Sequence, residues 1–268
     1  MDFAGRSVVI TGGATGIGFA LAKRLGSVGA RLLLCEPSEA KLAEAVAALD
    51  ALDIEALPFA GDVTDPALVE ALADAAWAAH GRADAIVANA GVGGGRASVI
   101  DTDPDAARAL FEVNFWGVWN CIRTFGGRFR DEGLPSAIYA TASENALFNA
   151  LRTGGGAYVA SKHAVLGLMD MLRNEAPAHV EVGVILPGWV KSDMTRHADA
   201  AMDADAFAAR IVPQMEAGEF YLVSHPYNVV RMEERWAEVY AAFDCYAPRA
   251  PGDESMDVQL FVERMRRE

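Results

Sequence analysis

The feature that most constrains the fold is a short apolar run that leads directly into a glycine-rich segment near the start of the chain. Residues 7–11 are rich in β-branched side chains, and Gly12, Gly16 and Gly18 follow at the spacing Gly-x-x-x-Gly-x-Gly. Glycines between a strand and a helix let the backbone approach a pyrophosphate, which the helix N-terminus stabilises. The segment therefore predicts the first strand, turn and helix of an α/β fold. The alternative is a glycine-rich turn that binds no ligand.

The rest of the chain alternates between strand-like and helix-like segments, which is typical of a doubly wound parallel sheet. We predict an α/β Rossmann fold with three α/β/α layers, built as one domain over residues 1–268. The predicted strands are residues 7–11, 31–35, 54–59, 85–88, 137–141, 181–186 and 220–223. The predicted helices are residues 16–28, 38–52, 66–79, 104–130, 157–176 and 228–243, of which 104–130 is either one bent helix or two helices.

A tyrosine and a lysine four residues apart lie in one of these predicted helices. Tyr158 and Lys162 would share one face, one turn apart. Because a nearby ammonium group favours the phenolate, Lys162 is expected to lower the pKa of Tyr158. Such a phenol can take a proton from an alcohol or return one to an alkoxide. Because this spacing is common by chance, the alternative is a helix with one aromatic and one solvated amine.

The glycine segment and the tyrosine–lysine pair together resemble the short-chain dehydrogenase/reductase family, over the chain up to about residue 194. The resemblance implies a catalytic tetrad of Asn114, Ser143, Tyr158 and Lys162. In such a tetrad Tyr158 is the acid or base, and Ser143 donates a hydrogen bond to the substrate oxygen. Lys162 lowers the pKa of the tyrosine and binds the nicotinamide ribose, and Asn114 holds a water that links Lys162 to solvent.

The resemblance also implies a site for a nicotinamide dinucleotide. Asp62 and Val63 look like the pair that contacts the adenine, and Ser192 keeps the hydroxyl that meets the carboxamide, although threonine is usual there. The other matches are the Asn-Ala-Gly element at residues 89–91 and the Pro-Gly element that begins at residue 187. The cofactor residues expected on this basis are Gly12, Thr15, Gly16, Ile17, Gly18, Glu36, Asp62, Val63, Asn89, Ala90, Gly91, Tyr158, Lys162, Pro187, Gly188, Val190 and Ser192.

Glu36 ends the second predicted strand and bears on the choice between NAD and NADP. A carboxylate at this position can accept hydrogen bonds from the adenosine ribose and would repel a 2′-phosphate. Thr15 and Pro37 occupy neighbouring positions where phosphate-binding arginines are often found, so no basic residue is expected beside Glu36. We therefore predict NAD(H) as the cofactor. The alternative is that Glu36 is a solvated loop acid.

The substrate is expected to be a small molecule with a bulky hydrophobic body. The predicted substrate residues are Ser143, Asn145, Phe148, Trp189 and Met194, with Leu147, Leu151, Phe207 and Met215 as further apolar candidates. Apolar walls suit an aryl or cyclic secondary alcohol or ketone, although each aromatic residue could instead belong to the core. In the family, the region that corresponds to residues 193–217 covers the substrate, so we expect a lid there.

Composition excludes several classes of partner. The chain has 23 Lys and Arg against 37 Asp and Glu, a net charge of −14, which argues against nucleic acid and anionic membranes. The three cysteines and five histidines are scattered, so no disulfide framework or metal site is expected. The first strand begins at once and no apolar run approaches about 20 residues, which favours a cytoplasmic protein without a signal peptide or membrane span. The family resemblance implies a homodimer or homotetramer.

Three functions remain open at this point. The first is an NAD-dependent secondary-alcohol dehydrogenase, and the second is an NAD(P)H-dependent ketone reductase, because the reaction is reversible. The third is a non-enzymatic, cofactor-sensing regulator, although such proteins typically lack the catalytic tyrosine or lysine that this chain keeps. The apolar stripe within residues 228–243, which includes Trp236 and Tyr240, is expected to pack in the core.

Overall fold

The computed structural model describes residues 1–150, 154–192, 195 and 199–265. These residues divide into two compact units, Met1–Pro226 and Tyr227–Glu268, where the sequence predicts one domain. Within the described ranges, the residues of the two apolar layers that enclose the sheet all belong to the first unit.

The first unit is built around a parallel sheet. Its strands are β1 (Ser7–Thr11), β2 (Arg31–Glu36), β3 (Ala56–Ala60), β4 (Ala85–Ala88), β5 (Ser136–Thr141), β6 (Val180–Leu186) and β7 (Tyr221–Val223). They pair in the order β3-β2-β1-β4-β5-β6-β7, and every pairing is parallel. The chain reverses its direction of winding between β1 and β4, which is where ligands bind in folds of this type. The seven-stranded, doubly wound sheet predicted from the sequence is confirmed.

Helices cover both faces of the sheet. They are α1 (Gly16–Ser27), α2 (Glu39–Asp50), α3 (Pro66–His80), α4 (Pro104–Phe111), α5 (Gly117–Glu132), α6 (Gly156–Glu175) and α7 (Ala204–Glu216). Val8 and Ile10 of β1 pack into one apolar layer, while Val9 between them packs into the other. Burial on both faces explains why the central strands are continuous apolar runs.

The predicted helix over residues 104–130 is interrupted. A π-helical segment, Glu112–Trp116, separates α4 from α5, and the backbone stays helical through it. Asp103 caps α4 by accepting hydrogen bonds from the backbone of Asp105 and Ala106. Such π-helical turns are common at functional sites, and this one carries Asn114.

The region predicted to be a lid contains a core helix. Residues 193, 194 and 196–198 lie outside the described part of the chain, but α7 buries Phe207, Ile211 and Met215 completely in the layer that also contains α1. The Tyr139 hydroxyl donates a hydrogen bond to the Met215 carbonyl at 3.3 Å. The suggestion that Phe207 and Met215 contact substrate is therefore wrong, because both side chains complete the core.

The second unit contains α8 (Val229–Tyr246) and α9 (Val258–Met265), and neither helix has a buried residue. Trp236 and Tyr240 are 51% and 63% exposed, so the expectation that this stripe lies in the core is wrong. An apolar stripe specifies which face of a helix is hydrophobic but not what covers it. Among the described residues, no helix has the length and hydropathy needed to cross a membrane.

Candidate active site

A cleft of about 1040 Å³ lies where the strands of the first unit end. Its walls come from the segments that follow β1, β2, β3, β4, β5 and β6 and from the start of α6. The cofactor residues predicted from the sequence that line it are Gly12, Thr15, Gly16, Ile17, Glu36, Asp62, Val63, Asn89, Ala90, Gly91, Tyr158, Lys162, Pro187, Gly188, Val190 and Ser192. One cleft therefore brings together motifs that are up to 180 positions apart.

The glycine turn forms a backbone cradle at one wall of the cleft. Gly12 has a φ of +61°, and a Cβ on it would lie 2.9 Å from the Cα of Ala90. A Cβ on Gly18 would lie 2.1 Å from the Gly12 carbonyl oxygen, so Gly18 lets α1 pack against the turn and does not itself line the cleft. The close backbone packing and the N-terminus of α1, whose first residues line the cleft, fit the pyrophosphate of a dinucleotide.

Asn89 fixes the edge of the sheet at the point where the cleft opens. Its side-chain amide donates to the Thr11 carbonyl at 3.2 Å and to the Gly12 carbonyl at 3.3 Å. The Thr141 hydroxyl donates to the Asn89 side-chain oxygen at 3.0 Å. Asn89 thereby connects the ends of β1, β4 and β5, and it holds the glycine turn in position.

Lys162 is buried at the floor of the cleft. Its Nζ donates a hydrogen bond to the Thr141 carbonyl at 2.9 Å, and burial lowers the pKa of Lys162 to about 8. The same Nζ lies 5.8 Å from the centroid of the Tyr158 ring. A buried ammonium group without a carboxylate partner gives up its proton more easily than one in water.

Tyr158 stands one helical turn before Lys162, and its phenol faces the same cleft. Burial raises the pKa of Tyr158, and a hydrogen bond with the Ser143 side chain partly offsets that rise. The expected lowering of this pKa by Lys162 is therefore absent in the protein alone. The reason is that desolvation dominates for both groups, while the ammonium is directed at the Thr141 carbonyl.

Ser143 directly follows the segment that leaves β5 and begins a short 3-10 helix, Glu144–Ala146. Its hydroxyl oxygen accepts hydrogen bonds from the Asn145 backbone at 3.1 Å and the Asn145 side chain at 3.3 Å. The hydroxyl also lies 3.4 Å from the Pro187 carbonyl, to which it donates. Asn145 therefore orients Ser143 and lines the cleft beside it.

Asn114, the fourth predicted catalytic residue, is fully buried behind the cleft wall. Its side-chain oxygen accepts from the Val92 backbone at 2.7 Å, and its amide donates to the Val92 carbonyl at 3.0 Å and to Ser161 Oγ at 3.1 Å. A Cβ on Gly91 would lie 3.2 Å from Asn114 Oδ1 and 3.5 Å from Lys162 Nζ. These contacts hold the loop that follows β4, and the water relay through Asn114 stays a prediction.

Charged residues lie at the adenosine end implied by the family resemblance. Glu36 and Asp62 line the cleft there, and so does Lys41 near the start of α2. Both signs of charge therefore line one cleft, and the expectation that no basic residue lies directly beside Glu36 stays a prediction. The sequence carried a signal for this residue, because Lys41 lies in the first turn of the helix that follows the second strand.

Some of the predicted substrate residues line the cleft, some are buried away from it, and some lie outside the described residues. Trp189, which is 54% exposed, lines the cleft together with Asn145 and Ser143. Phe148 is 6% exposed and does not line the cleft, because it turns inward after the 3-10 helix. Leu147 packs against an apolar layer of the core. Met194 and Leu151 lie outside the described residues.

The cleft also has walls that the sequence did not single out. The loop after β4 contributes residues 92–96, including three consecutive glycines and Arg96. Thr195 contributes a hydroxyl that accepts from the Ser192 backbone at 2.9 Å. The run of glycines is the signal that could have pointed to this loop. Within the described ranges, no group of three or more histidine, cysteine, aspartate or glutamate side chains could hold a metal ion.

Comparison with known proteins extends the sequence resemblance. The family model of the short chain dehydrogenases matches residues 6–203. A 1-deoxy-11-beta-hydroxypentalenate dehydrogenase from Streptomyces avermitilis is 34% identical over 244 residues, which cover 87% of this chain and 90% of the relative. A protein with the same description from Streptomyces exfoliatus is 31% identical over 245 residues, covering 88% of each chain.

Solved structures agree with this grouping. A short chain dehydrogenase/reductase from Burkholderia phymatum, in complex with NAD, is 26% identical, has a TM-score of 0.86, and matches 94% of this chain and 99% of its own. A putative short-chain dehydrogenase from Novosphingobium aromaticivorans is 28% identical with a TM-score of 0.86, covering 99% and 95% of the two chains. From the matched model, the relatives and the fold, this chain belongs to the short-chain dehydrogenase/reductase family of oxidoreductases.

Proposed function

We propose that the protein transfers a hydride between NAD(H) and a bulky, hydrophobic cyclic secondary alcohol or the corresponding ketone. The observation that carries the proposal is the convergence of Ser143, Tyr158 and Lys162 on one cleft with the glycine turn after β1. None of these side chains would need to share a cleft with that turn if each served only the core.

A nicotinamide cofactor, when bound, would supply the hydride donor or acceptor. The chain's own residues hold the substrate oxygen and move its proton. Ser143 is positioned by Asn145, and its hydroxyl can donate a hydrogen bond to the oxygen on which charge develops. Tyr158 gives a proton to that oxygen when a ketone is reduced and takes it back when an alcohol is oxidised.

Glu36 supports NAD(H) as the preferred cofactor. Its carboxylate ends β2 and lines the cleft, where it would repel a 2′-phosphate on the adenosine ribose. The Burkholderia phymatum structure, which contains NAD, is consistent with this preference. Lys41 lines the cleft as well and would attract a 2′-phosphate, so the cofactor preference depends on which of the two side chains faces the ribose.

The walls of the cleft support a hydrophobic cyclic substrate. Trp189 presents an exposed aromatic surface, and Val92 and Val113 add apolar contacts. The relatives from the two Streptomyces species are named for a hydroxypentalenate as substrate, which is consistent with a ring system bearing a hydroxyl group. A flat aromatic side chain beside apolar residues provides shape complementarity for such a ring.

Ketone reduction is a second candidate for the physiological direction, and one observation favours it. Because burial raises the pKa of Tyr158, the phenol holds its proton at neutral pH, which is the form that reduction requires. Oxidation instead requires the phenolate. The two directions use the same site and differ in which protonation state must be populated before the hydride moves.

A screen of purified protein tests the proposal. Alicyclic and aryl secondary alcohols are mixed with NAD or NADP, and formation of reduced nicotinamide is followed by absorbance. We expect oxidation of cyclic alcohols with NAD and a rate that increases with pH. Binding of NAD without turnover of any alcohol or ketone would favour the cofactor-sensing regulator. Absence of binding to either dinucleotide would contradict the proposed function.

A further inference from the structure

The half of the cleft around Tyr158 contains a cationic side chain, Arg96, that has no role in the proposed hydride transfer. Three cationic residues line the cleft among those the structure describes, namely Lys41, Arg96 and Lys162. Lys41 belongs to the region that follows β2, and Lys162 is buried with its ammonium bonded to the Thr141 carbonyl. Arg96 is exposed, so its guanidinium is accessible to a ligand.

Backbone contacts locate Arg96 beside the start of α6. A Cβ on Gly94 would lie 3.0 Å from the Tyr158 Cβ, so the glycine loop, residues 92–96, packs directly against α6. A Cβ on Gly154 would lie 2.8 Å from the Arg96 carbonyl oxygen, which puts the two backbones in contact. Arg96 therefore lies near Tyr158, on the substrate side of the cleft.

The acidic residues near Arg96 in sequence are engaged elsewhere. Asp101 accepts a hydrogen bond from Ser98 Oγ at 2.6 Å, and Asp103 caps α4. Asp105 pairs with Arg108 at 2.7 Å. Over the described ranges, no carboxylate lies within ion-pair distance of Arg96. As far as the described residues show, the guanidinium is therefore free to meet a ligand or water.

The charges on the cleft wall favour an anion at this position. The carboxylates that line the cleft within the described part of the chain are Glu36 and Asp62, and both belong to the adenosine side. Because the chain has a net charge of −14, its overall charge does not attract an anion, so an anionic ligand needs a local cation. A guanidinium presents parallel donors that match the two oxygens of a carboxylate.

We infer that the substrate is a cyclic secondary alcohol or ketone that also carries a carboxylate, and that Arg96 binds this carboxylate. The inference rests on the proposed function for the reaction itself and adds the chemical class of the substrate. The ring lies along Trp189, the reacting oxygen meets Tyr158 and Ser143, and the carboxylate reaches the glycine loop. A Cβ on Gly95 would meet nothing within 4 Å, so there is room for the acid next to Arg96.

Binding measurements test this inference without requiring turnover. Cyclohexanecarboxylate and cyclohexanecarboxamide are titrated by calorimetry into the protein, with and without NADH. We expect the carboxylate to bind more tightly than the amide, and Arg96→Gln to weaken its binding by about 10- to 100-fold, since a charge-assisted hydrogen bond is lost. Arg96→Lys keeps the charge and should restore part of the affinity.

Arg130→Gln is the matched control, because Arg130 is an exposed arginine of α5 that pairs only with the adjacent Asp131 in the described structure. It removes the same charge and should bind the carboxylate like the wild type. Equal binding of carboxylate and amide by the wild type would overturn the inference. Carboxylate affinity that survives in Arg96→Gln would overturn it as well.

A kinetic comparison separates this inference from the proposed function. A hydroxycyclohexanecarboxylate and its methyl ester are compared as substrates with NAD. A higher kcat/KM for the acid that is lost in Arg96→Gln, mainly through KM, supports the role of Arg96. Equal oxidation of the acid and the ester contradicts that role but leaves the proposed reaction intact. Failure to oxidise any secondary alcohol contradicts the proposed reaction itself, while the calorimetric result still decides the role of Arg96.

Discussion

Lys162 and Tyr158 show how strongly burial acts on single residues. Their spacing on one helix face suggested that the ammonium would make the phenol acidic. In the protein alone the two groups are desolvated instead, so that the pKa of Lys162 falls to about 8 and the pKa of Tyr158 rises. A Tyr158 pKa near neutral therefore requires charges that arrive with the ligands. Without them, the phenol loses its proton only at higher pH.

The lowered pKa of Lys162 predicts a pH-dependent stability. In the unfolded chain the lysine titrates near 10.5, and in the folded chain near 8, so the unfolded state binds more protons between these values. Stability of the wild type should therefore rise as pH increases through this window. We expect Lys162→Met to lack this increase, so that its free energy of unfolding, relative to wild type, falls by about 1–3 kcal/mol between pH 7 and 10.

Urea unfolding at several pH values measures this difference. The titration of Tyr158 and the other ionisable groups is common to both proteins and cancels to a first approximation. Parallel pH profiles for the wild type and Lys162→Met would mean that Lys162 does not titrate in this window.

Glu36 and Lys41 are expected to have opposite effects on the preference for NAD over NADP. We expect Glu36→Gln to reduce the ratio of kcat/KM for NAD over NADP by about 10- to 100-fold, because repulsion of the 2′-phosphate and a charged hydrogen-bond acceptor are both lost. Lys41→Gln is the counterpart and should leave that ratio unchanged or increase it. A cofactor ratio that does not change in Glu36→Gln would make this carboxylate a solvated loop acid.

Among the secondary-structure elements, the sequence predicted best those whose burial produces a regular pattern of apolar residues. The strands β1, β2, β4 and β5 are buried on both faces and so read as apolar runs. The glycine turn could be recognised because only glycine allows the close approach to Ala90. Most of the cleft-lining residues follow from these two signals, since they lie directly after strand ends.

Other elements could not be predicted because their role depends on what packs against them. The stripe of α7 is as apolar as a lid over a hydrophobic substrate would be, but it packs against the helix layer that contains α1. The stripe of α8 has no buried residue in the described structure. Arg96 was missed because its position depends on contacts of the glycine loop with Gly154, which lies far along the chain.

The packing of α7 gives a test of its role as a core element. Phe207 is completely buried, and its replacement by alanine should lower the free energy of unfolding by about 3–5 kcal/mol through lost burial and a residual cavity. Leu52→Ala, at a position that is 56% exposed, should change stability by less than about 0.5 kcal/mol. Thermal or urea unfolding gives both values. A Phe207→Ala protein of normal stability with a raised KM would point to a lid instead.

At the scale of the whole molecule, the candidate active site depends on the order of strands in the sheet. The change of winding direction between β1 and β4 brings the glycine turn of the first half beside the tyrosine–lysine helix of the second. Gly12 and Tyr158 line the same cleft although 146 positions separate them. The order of the strands thus places the predicted cofactor residues and the predicted catalytic residues in one cleft.

Comparison of Tyr158→Phe with the wild type tests whether the Tyr158 hydroxyl is the acid–base group of the reaction. The change removes one hydroxyl and keeps the ring, so binding of NADH, followed by fluorescence, should stay close to that of the wild type. Oxidation of a cyclic secondary alcohol with NAD should fall by about 100- to 10,000-fold, because the acid–base group is lost. Turnover in Tyr158→Phe that remains comparable to the wild type, with NADH still bound, would contradict the account.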